Sequence, residues 1–289
     1  RSMLGQKEKL FALLGHPVKH SLSPLMHNDQ FKRFNLPYYY HAFDVAPKDL
    51  KDAVNGMKAL GFSGFNVTVP HKVEVMKYID EIEEDAEKIG AVNTVVYEEG
   101  KWVGCNTDGI GYVASLVAET GEALKDYRVL MIGAGGAARA VAVGLARYGV
   151  KELVITNRTL SKAEDIVHHL PGEGTYRVLD KKEAEKETST FDVIINTTSI
   201  GMSPNLEETP WTVDPLKPNC LCSDLIYNPR MTKWLKEARE KGARVLNGVG
   251  MFVGQGSAAF ERWTGIKPDT KRMTEVVHSH LKESSDVNK

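Results

Sequence analysis

A glycine pattern near the middle of the chain has the spacing needed to hold a phosphate group. It runs Gly133-Ala134-Gly135-Gly136-Ala137, follows the apolar run Val129–Ile132 and opens an alanine-rich segment. A glycine turn between a strand and a helix lets a pyrophosphate approach the backbone and lie on the helix N-terminus. Because the strand and helix signals flank it, the pattern predicts a dinucleotide-binding unit rather than a turn that only packs a helix on a strand.

The end of the next predicted strand indicates which dinucleotide binds. The apolar run at residues 152–156 is followed by Asn157-Arg158-Thr159, and Lys162 comes shortly after. An NAD-binding unit carries an acidic residue here, which bonds the ribose 2′-hydroxyl. A cation suits the 2′-phosphate of NADP instead, because a guanidinium matches phosphate geometry. The sequence therefore predicts NADP(H) as the cofactor.

Lys72 and Asp108 are the candidates for proton transfer, which nicotinamide chemistry requires beside the carbon that exchanges hydride. Lys72 follows a predicted strand and Pro70, at a predicted helix start where a cation opposes the helix dipole. Asp108 lies at another predicted helix start, where an acid is stabilising by itself. The two could share a proton across a substrate hydroxyl and titrate as a unit. The alternative for Lys72 is an ordinary solvated lysine.

Ser21 and Ser23 offer two hydroxyls that could donate to a small carboxylate. Ser23 also precedes Pro24, so it is a candidate helix N-cap, and the two roles are compatible because an anion is favoured at a helix N-terminus. No metal site is expected, because the spacings of the histidines in this part of the chain match no zinc pattern. Those histidines are His16, His20, His27 and His71.

The first third of the chain alternates strand and helix signals. Strands are predicted at Leu10–Leu14, Tyr38–Val45 and Gly64–Val69. Helices are predicted at Ser23–Phe34, Pro47–Leu60 and Val73–Ile89, the last with a candidate break at Asp80. A hairpin is predicted around residues 98–101, and another helix from Asp108 to about Glu119.

From Tyr127 onward a βαβ rhythm predicts a mostly parallel sheet with helices on both faces. The predicted strands are Val129–Ile132, Leu153–Thr156, Val193–Asn196, Cys220–Leu225 and Arg244–Leu246. A helix is predicted from about Met231 to Gly242, and a final helical region from Met251 to about Leu281. The fold class is therefore α/β with two domains: an N-terminal substrate domain (3–108 plus 251–289, its C-terminal helices returning to it) and a Rossmann-type doubly wound NADP-binding domain (109–250).

The composition bounds the partners. The 289 residues suffice for two domains, and a net charge of −1 gives no electrostatic case for nucleic acid or an anionic membrane. No stretch reaches the roughly 18 apolar residues of a membrane span. Three cysteines make no disulfide framework and no zinc spacing, which favours a cytoplasmic protein. The partner expected is a small-molecule substrate. Monomer and homodimer both remain open.

At this point the chain resembles the shikimate dehydrogenase family over nearly its whole length, from about Phe11 to Leu281. No single segment decides the matter, but together they are specific, and they occur in the family's order. These segments are Gly15–Pro24, Asn66–Lys72, Gly90–Thr94, Asn106–Gly109, Gly133–Ala137, Asn157–Thr159, Asn196–Met202, Asp224–Pro229, and Gly248–Met251 with Gln255.

The resemblance implies reversible NADPH-dependent reduction of 3-dehydroshikimate to shikimate, in the biosynthesis of chorismate and aromatic amino acids. By this resemblance Lys72 is the catalytic acid/base and Asp108 its partner, while Ser21 and Ser23 hold the substrate carboxylate. The resemblance also implies that the ring hydroxyls are bound by Thr68, Asn93, Asp108 and Gln255, and that Tyr227 lies at the substrate. It implies that the 2′-phosphate is bound by Asn157, Arg158, Thr159 and Lys162, and that the nicotinamide side is lined by Glu84, Leu225 and Gly248.

Three alternatives remain open at this stage. A quinate or quinate/shikimate dehydrogenase would share the scaffold and often uses NAD, which Arg158 disfavours. A folate-type dehydrogenase would share the Lys–Asp pair but leave the hydroxyl-binding set without a purpose. A non-catalytic NADP-sensing module would need only the second domain, and the presence of Lys72 and Asp108 disfavours it.

Overall fold

The computed structural model describes the backbone of residues 7–287 and the side chains of residues 7–281. The chain divides into two compact units, each built around its own six-stranded sheet. Of the described residues, those up to Thr107 and from Val253 onward form the first unit, and Asp108–Phe252 form the second. The predicted fold class, two α/β domains with a Rossmann-type sheet in the second, is confirmed.

The first unit contains a mixed sheet of strand order β2-β1-β3-β5-β6-β4. Its strands are β1 (Lys9–Gly15), β2 (Tyr38–Asp44), β3 (Gly64–Val67), β4 (Glu81–Ile82), β5 (Thr94–Glu98) and β6 (Lys101–Cys105). Its helices are α1 (Ser23–Arg33), α2 (Leu50–Ala59), α3 (Glu84–Ile89) and α10 (Thr270–Val287), with α9 (Val249–Thr264) beginning in the second unit. Short 3₁₀ helices cover Pro47–Asp49 and Glu74–Tyr78.

Side-chain alternation along β1 explains how this sheet is buried on both faces. Phe11 and Leu13 face one core, with Phe260 and Trp263 of α9. Ala12 and Leu14 face the other core. Successive side chains of a strand point to opposite faces, so an apolar run such as residues 10–14 fits a strand covered on both sides.

Two sequence predictions for the first unit need correction. Ser23 is not an N-cap: α1 begins at Ser23 itself, Leu22 holds the cap position, and no side chain caps the helix, although Pro24 does lie in its first turn. The segment Val73–Ile89 is not one helix but a 3₁₀ helix, the short strand β4 and α3. The break does fall at Asp80, whose carboxylate accepts from the Trp102 amide at 2.7 Å.

The hairpin between β5 and β6 is confirmed, and its turn residues explain it. Glu99 and Gly100 both have positive φ, +49° and +79°. Positive φ at both central residues matches the right-handed twist of the flanking strands, which a two-residue loop must satisfy. The hairpin fixes the register that places Thr94 opposite Cys105.

The second unit contains a fully parallel sheet of strand order β12-β11-β10-β7-β8-β9. Its strands are β7 (Arg128–Ile132), β8 (Glu152–Thr156), β9 (Thr175–Val178), β10 (Val193–Asn196), β11 (Leu221–Asp224) and β12 (Arg244–Leu246). Its helices are α4 (Asp108–Thr120), α5 (Gly136–Tyr148), α6 (Leu160–His168), α7 (Lys181–Lys186) and α8 (Lys233–Glu240), with a 3₁₀ helix at Gly121–Asp126. The sequence did not predict β9.

Gly149 ends α5 in the left-handed conformation, φ +99°, as its predicted role as a C-cap requires. The chain can then turn directly into β8.

Among the described residues, no helix is long and apolar enough to cross a membrane.

Candidate functional site

The glycine loop of the second unit lies where the strand order of the sheet reverses. Strands β7 and β10 are neighbours, and the chain runs outward from β7 through β8 and β9 but from β10 through β11 and β12. In open parallel sheets, ligands bind outside the carboxyl ends of the strands at this switch point. Gly133 follows β7 there, and Thr197 follows β10.

Gly133 must be glycine at this position. Its φ is +112°, and an added Cβ would lie 2.3 Å from the Thr197 Oγ1 atom. That hydroxyl cannot easily withdraw, because it donates to the Ile132 carbonyl oxygen at 2.6 Å. The backbone at Gly133 is therefore held close to the end of β10.

Gly135 and Gly136 leave the start of α5 open to a ligand. Gly135 is the N-cap in an extended conformation, and no side chain caps this helix of 13 residues. Apart from the adjoining chain, no atom of the described residues lies within 4 Å of a Cβ added at either glycine. The first amides of a helix have no intrahelical partner and favour an anion, so this loop fits a pyrophosphate.

We expect alanine at Gly133 and at Gly135 to have different effects. Gly133→Ala should lower the free energy of unfolding by about 1–3 kcal/mol, because the substituted residue is strained and overlaps Thr197. Gly135→Ala should lower the free energy of unfolding by only about 1 kcal/mol or less, because alanine is a poorer N-cap than glycine. It should weaken NADP⁺ binding by about tenfold or more, because the added methyl group points into the space left for the ligand. Calorimetric melting and titration of both variants check this. Unchanged NADP⁺ affinity in Gly135→Ala would contradict the placement of the pyrophosphate.

The predicted 2′-phosphate residues form an exposed turn after β8. The Asn157 amide donates to the Thr159 carbonyl oxygen at 2.9 Å, so Asn157 shapes the turn that presents Arg158. Arg158, Thr159 and Lys162 are all exposed. Within the part of the chain that the structure describes, neither cation forms an ion pair with a carboxylate. Two exposed cations without a counter-ion among the described residues suit a phosphate group.

Leu225 and Gly248, predicted on the nicotinamide side, lie against each other at the end of β11. A Cβ added at Gly248 would lie 1.9 Å from the Leu225 carbonyl oxygen, so only glycine fits. The Gly248 amide donates to the Ile226 carbonyl oxygen at 3.0 Å. Tyr227 follows, with its ring 5.1 Å from that of Phe252. Burial raises the pKa of the Tyr227 phenol, so it is a hydrogen-bond donor at neutral pH.

Asp224 ends β11 and is 1% exposed. Burial raises the pKa of its carboxyl to about 6, against the opposing effect of hydrogen bonds from Ile226, Thr232 and Asn196. Sequence reasoning quoted Asp224 only as part of a motif and gave it no role. The signal available was a carboxylate at the end of a buried strand.

The raised pKa of Asp224 predicts a pH-dependent stability. The folded state binds this proton more tightly than the unfolded state, whose pKa is near 3.8. The stabilisation is therefore complete below pH 4 and is lost as the pH rises through 6, by about 3 kcal/mol in total. Denaturant unfolding between pH 4 and 7 should show that the free energy of unfolding of the wild type falls with rising pH relative to that of Asp224→Asn. Parallel curves would contradict the shift.

In the first unit, Asn93 is the centre of a buried hydrogen-bond network. Its Nδ2 donates to Thr107 Oγ1 at 2.9 Å, and its Oδ1 accepts from the Thr107 amide at 2.7 Å and from Thr94 Oγ1 at 3.1 Å. Thr107 Oγ1 also lies 3.1 Å from the Gln255 carbonyl oxygen, to which it donates. The network thus joins two of the predicted substrate residues, Asn93 and Gln255, through a threonine that the sequence did not single out.

The same network reaches Ser23 through Tyr40. The Asn66 amide donates to Thr94 Oγ1 at 3.0 Å, and the Tyr40 hydroxyl donates to Asn66 Oδ1 at 2.8 Å. Burial raises the pKa of the Tyr40 phenol, and a hydrogen bond with Ser23 partly offsets the rise. The Ser21 hydroxyl oxygen accepts from the Ser23 amide at 3.2 Å, so the two serines are also connected.

Lys72 lies in a turn after Thr68, not at the start of an α-helix as predicted. The helix that follows is the 3₁₀ helix Glu74–Tyr78, so the expected conflict with an α-helix dipole does not arise. The Lys72 carbonyl oxygen accepts from the Val92 amide at 2.8 Å, next to Asn93. His71, 1% exposed, fixes the turn with a 2.6 Å hydrogen bond to the Val45 carbonyl oxygen.

The predicted site residues are divided between the two units. The first unit carries Ser21, Ser23, Thr68, Lys72, Glu84, Asn93 and Gln255. The second unit carries Asp108, Tyr227 and the rest of the cofactor set. Asp108 is the first residue of α4 and is buried. Glu84 is the first residue of α3 and pairs with Lys88 at 3.0 Å. No group of three metal-ligating side chains occurs among the described residues.

The second unit has a parallel sheet with a glycine loop at its switch point, and the first is an α/β unit with a buried polar network. Together these features define a dinucleotide-dependent enzyme of the Rossmann class. Models of three family domains match the chain. They describe the substrate-binding domain of shikimate dehydrogenase at residues 13–95, shikimate/quinate 5-dehydrogenase at 115–208, and the C-terminal domain of shikimate 5′-dehydrogenase at 248–278. The chain belongs to the shikimate dehydrogenase family.

Individual relatives agree with this assignment. Shikimate dehydrogenase (NADP⁺) of a Geobacillus species is 51% identical over 275 residues, covering 95% of this chain and 99% of that protein. A crystal structure of a shikimate dehydrogenase in complex with NADP⁺ is 44% identical, has a TM-score of 0.86, and covers 97% and 98% of the two chains. Shikimate 5-dehydrogenase from Listeria monocytogenes, in complex with shikimate and NAD, is 37% identical with a TM-score of 0.88, covering 93% and 96%.

Proposed function

We propose that this protein is an NADP-dependent shikimate dehydrogenase that reversibly reduces 3-dehydroshikimate to shikimate, in the biosynthesis of chorismate and aromatic amino acids. The observation that carries the proposal is the 51% identity to an NADP⁺-dependent shikimate dehydrogenase over both units of the chain. The exposed cations of the Arg158 turn and the open glycine loop before α5 support the cofactor.

The division of labour follows from which residues each unit carries. We assign substrate binding to residues 3–108 with 251–289, and NADP binding to residues 109–250. The hydrogen-bond network around Asn93 supports the first assignment, and the glycine loop at the switch point supports the second. Asp108 lies at the junction, since the second compact unit begins with it.

Lys72 is the proposed general acid. NADPH, when bound, supplies a hydride to the C3 carbonyl carbon of the substrate. Protonated Lys72 donates to the oxygen that becomes negative as the carbonyl is reduced, and in the reverse direction it accepts that proton. Asp108 is the proposed partner that orients the substrate hydroxyl and the lysine.

The polar residues of the first unit account for recognition of the substrate. Ser21 and Ser23 donate to its carboxylate, and Thr68, Asn93, Asp108, Gln255 and Tyr227 bind its ring hydroxyls. A site built to bond hydroxyls rejects analogues that lack them, because its own buried groups would then remain unpaired. The network through Tyr40, Asn66 and Thr94 supports this role, since it holds the Ser23 and Asn93 side chains in fixed orientations.

Cofactor binding is assigned to residues of the second unit, with Glu84 added from the first. Gly133–Ala137 receives the pyrophosphate, and Asn157, Arg158, Thr159 and Lys162 receive the 2′-phosphate. Glu84, Leu225 and Gly248 line the nicotinamide side. The close contact between Gly248 and the Leu225 carbonyl supports the pairing of the last two.

Initial rates at the NADPH absorbance band test the proposal. Purified protein is mixed with shikimate or quinate and with NADP⁺ or NAD⁺, in all four combinations. We expect turnover mainly with shikimate and NADP⁺. Turnover with quinate or NAD⁺ would favour the quinate/shikimate branch, whose name the middle family model also carries. Binding of NADP⁺ without turnover in any mixture would favour a sensing module.

A cytoplasmic location and a monomeric or homodimeric state complete the proposal. The free cysteines Cys105, Cys220 and Cys222 suit a reducing compartment. Light scattering of the purified protein distinguishes a monomer from a homodimer.

A further inference from the structure

We propose that Asp224 is a positioning residue that holds the loops after β10 and β11 in the shape required by the nicotinamide half of the cofactor. Asp224 itself need not touch the ligand. The proposal rests on the NADP-binding function assigned above, and it adds a residue to which that function gave no role.

The Asp224 carboxylate joins three separate segments of the second unit. Its Oδ1 atom accepts from the Ile226 amide at 3.1 Å and from the Asn196 side-chain amide at 3.2 Å. Its Oδ2 atom accepts from the Thr232 hydroxyl at 2.9 Å. Ile226 belongs to the loop after β11, Asn196 ends β10, and Thr232 is the N-cap of α8. One side chain therefore fixes the relative position of all three.

The hydrogen bond to Ile226 determines where the proposed nicotinamide contacts lie. It turns the chain immediately after β11, so the Leu225 carbonyl oxygen faces Gly248, 1.9 Å from where a Cβ would be. The Ile226 carbonyl oxygen accepts from the Gly248 amide at 3.0 Å. Leu225 and Gly248 are thus placed by a turn that begins at Asp224.

The hydrogen bond from Asn196 also influences the shape of the loop after β10. The Asn196 Oδ1 atom accepts from both the amide and the hydroxyl of Thr198, at 3.0 and 2.6 Å. Its Nδ2 atom donates to the Ile200 carbonyl oxygen at 3.3 Å as well as to Asp224. The carboxylate therefore orients the amide that shapes the loop after β10, on the β10 side of the switch point.

A buried carboxylate is a costly way to achieve stability alone. Among the described residues, the three groups that donate to it are neutral, and a buried charge without a cationic partner is expensive. An asparagine at this position could not accept from all three, because its NH₂ group would face a donor. The requirement for three simultaneous acceptances explains an acid here better than packing does.

Two ligands distinguish positioning of the nicotinamide half from a general structural role. NADP⁺ spans the whole site, whereas adenosine 2′,5′-bisphosphate carries only the adenosine half, which the Gly133 and Arg158 loops would bind. We expect Asp224→Asn to weaken NADP⁺ binding about tenfold or more, with less than about a twofold change for the bisphosphate. Isothermal titration of each ligand measures this, and thermal melting shows that each variant is folded.

A second variant protects the test against misfolding of the first. Thr232→Val removes one donor and should weaken NADP⁺ binding selectively, while Thr232→Ser should restore it. The matched control is Asp192→Asn, because Asp192 lies just before the opposite end of β10 and bonds the Arg128 amide and Lys217. It should leave the affinity ratio of the two ligands unchanged.

Each outcome decides the proposal. An equal loss of both ligands in Asp224→Asn and Thr232→Val, or no loss of either, would overturn it, because Asp224 would then be only structural or dispensable. A wild-type protein that binds neither ligand would instead overturn the proposed NADP-binding function, and this inference with it.

Discussion

Replacement of Lys72 by alanine is expected to lower kcat by about 10²–10⁴-fold while changing KM for shikimate and for NADP⁺ only modestly. Lys72 is assigned to the proton that moves as the hydride moves, so its contribution is made mainly in the transition state. Steady-state kinetics with both substrates varied measures the two effects separately. A variant with near-wild-type kcat would show that Lys72 is not the acid.

Two further lysine variants sharpen this test. Lys72→Arg keeps the positive charge but cannot release a proton near neutral pH, so it should not restore turnover if proton transfer is the role. Lys77→Ala removes a lysine of the same segment, whose partner is Glu74 at 3.0 Å, and should leave kcat unchanged. If Lys72→Arg were active, the side chain would act as a fixed charge and not as an acid.

The parts of the fold that were predicted correctly are those with a strong local signal. The apolar runs of β1, β7, β8 and β10 and the glycine that ends α5 are local features, and they suffice for the βαβ rhythm. Strand β9 was missed because it is an edge strand, with no fully buried residue in Thr175–Val178. Strand β4 was missed because it exists only through pairing with the distant β6.

The candidate site could be predicted only as far as its residue types. The glycine loop and the basic turn are each a single short stretch of sequence, and they follow β7 and β8 respectively. The Asn93 network joins residues as far apart as Thr107 and Gln255, which no local pattern reveals. Tyr40 illustrates the limit: it is 3% exposed and its neighbour Tyr39 is 54% exposed, a difference set by the strand's two faces.

The domain bounds and the roles of individual site residues therefore stay predictions. Lys72 and Asp108 were paired by resemblance and chemistry, and they belong to different compact units. The kinetic variants test their roles directly, whereas a sequence pattern could only suggest them.

Removal of the Arg158 side chain is the second change with a large expected effect. Arg158→Ala should reduce the preference for NADP⁺ over NAD⁺, as a ratio of kcat/KM values, by about 10- to 100-fold. A charge-assisted hydrogen bond contributes about 1.5–3 kcal/mol, and only NADP⁺ carries the phosphate that receives it. The KM for shikimate should change little. The measurement is kcat/KM for each dinucleotide at saturating shikimate.

Arg158 lies in a turn that Asn157 shapes. Two control variants therefore separate the effect of its charge from the effect of its position in the turn. Arg239→Ala removes an exposed arginine of α8 and the same net charge, and it should leave the dinucleotide preference intact. Asn157→Ala removes the 2.9 Å hydrogen bond to the Thr159 carbonyl oxygen and should reduce the preference partially, because the guanidinium remains but is less well placed. Equal losses of kcat/KM with both dinucleotides in Arg158→Ala would show that this arginine supports the turn and does not recognise the 2′-phosphate.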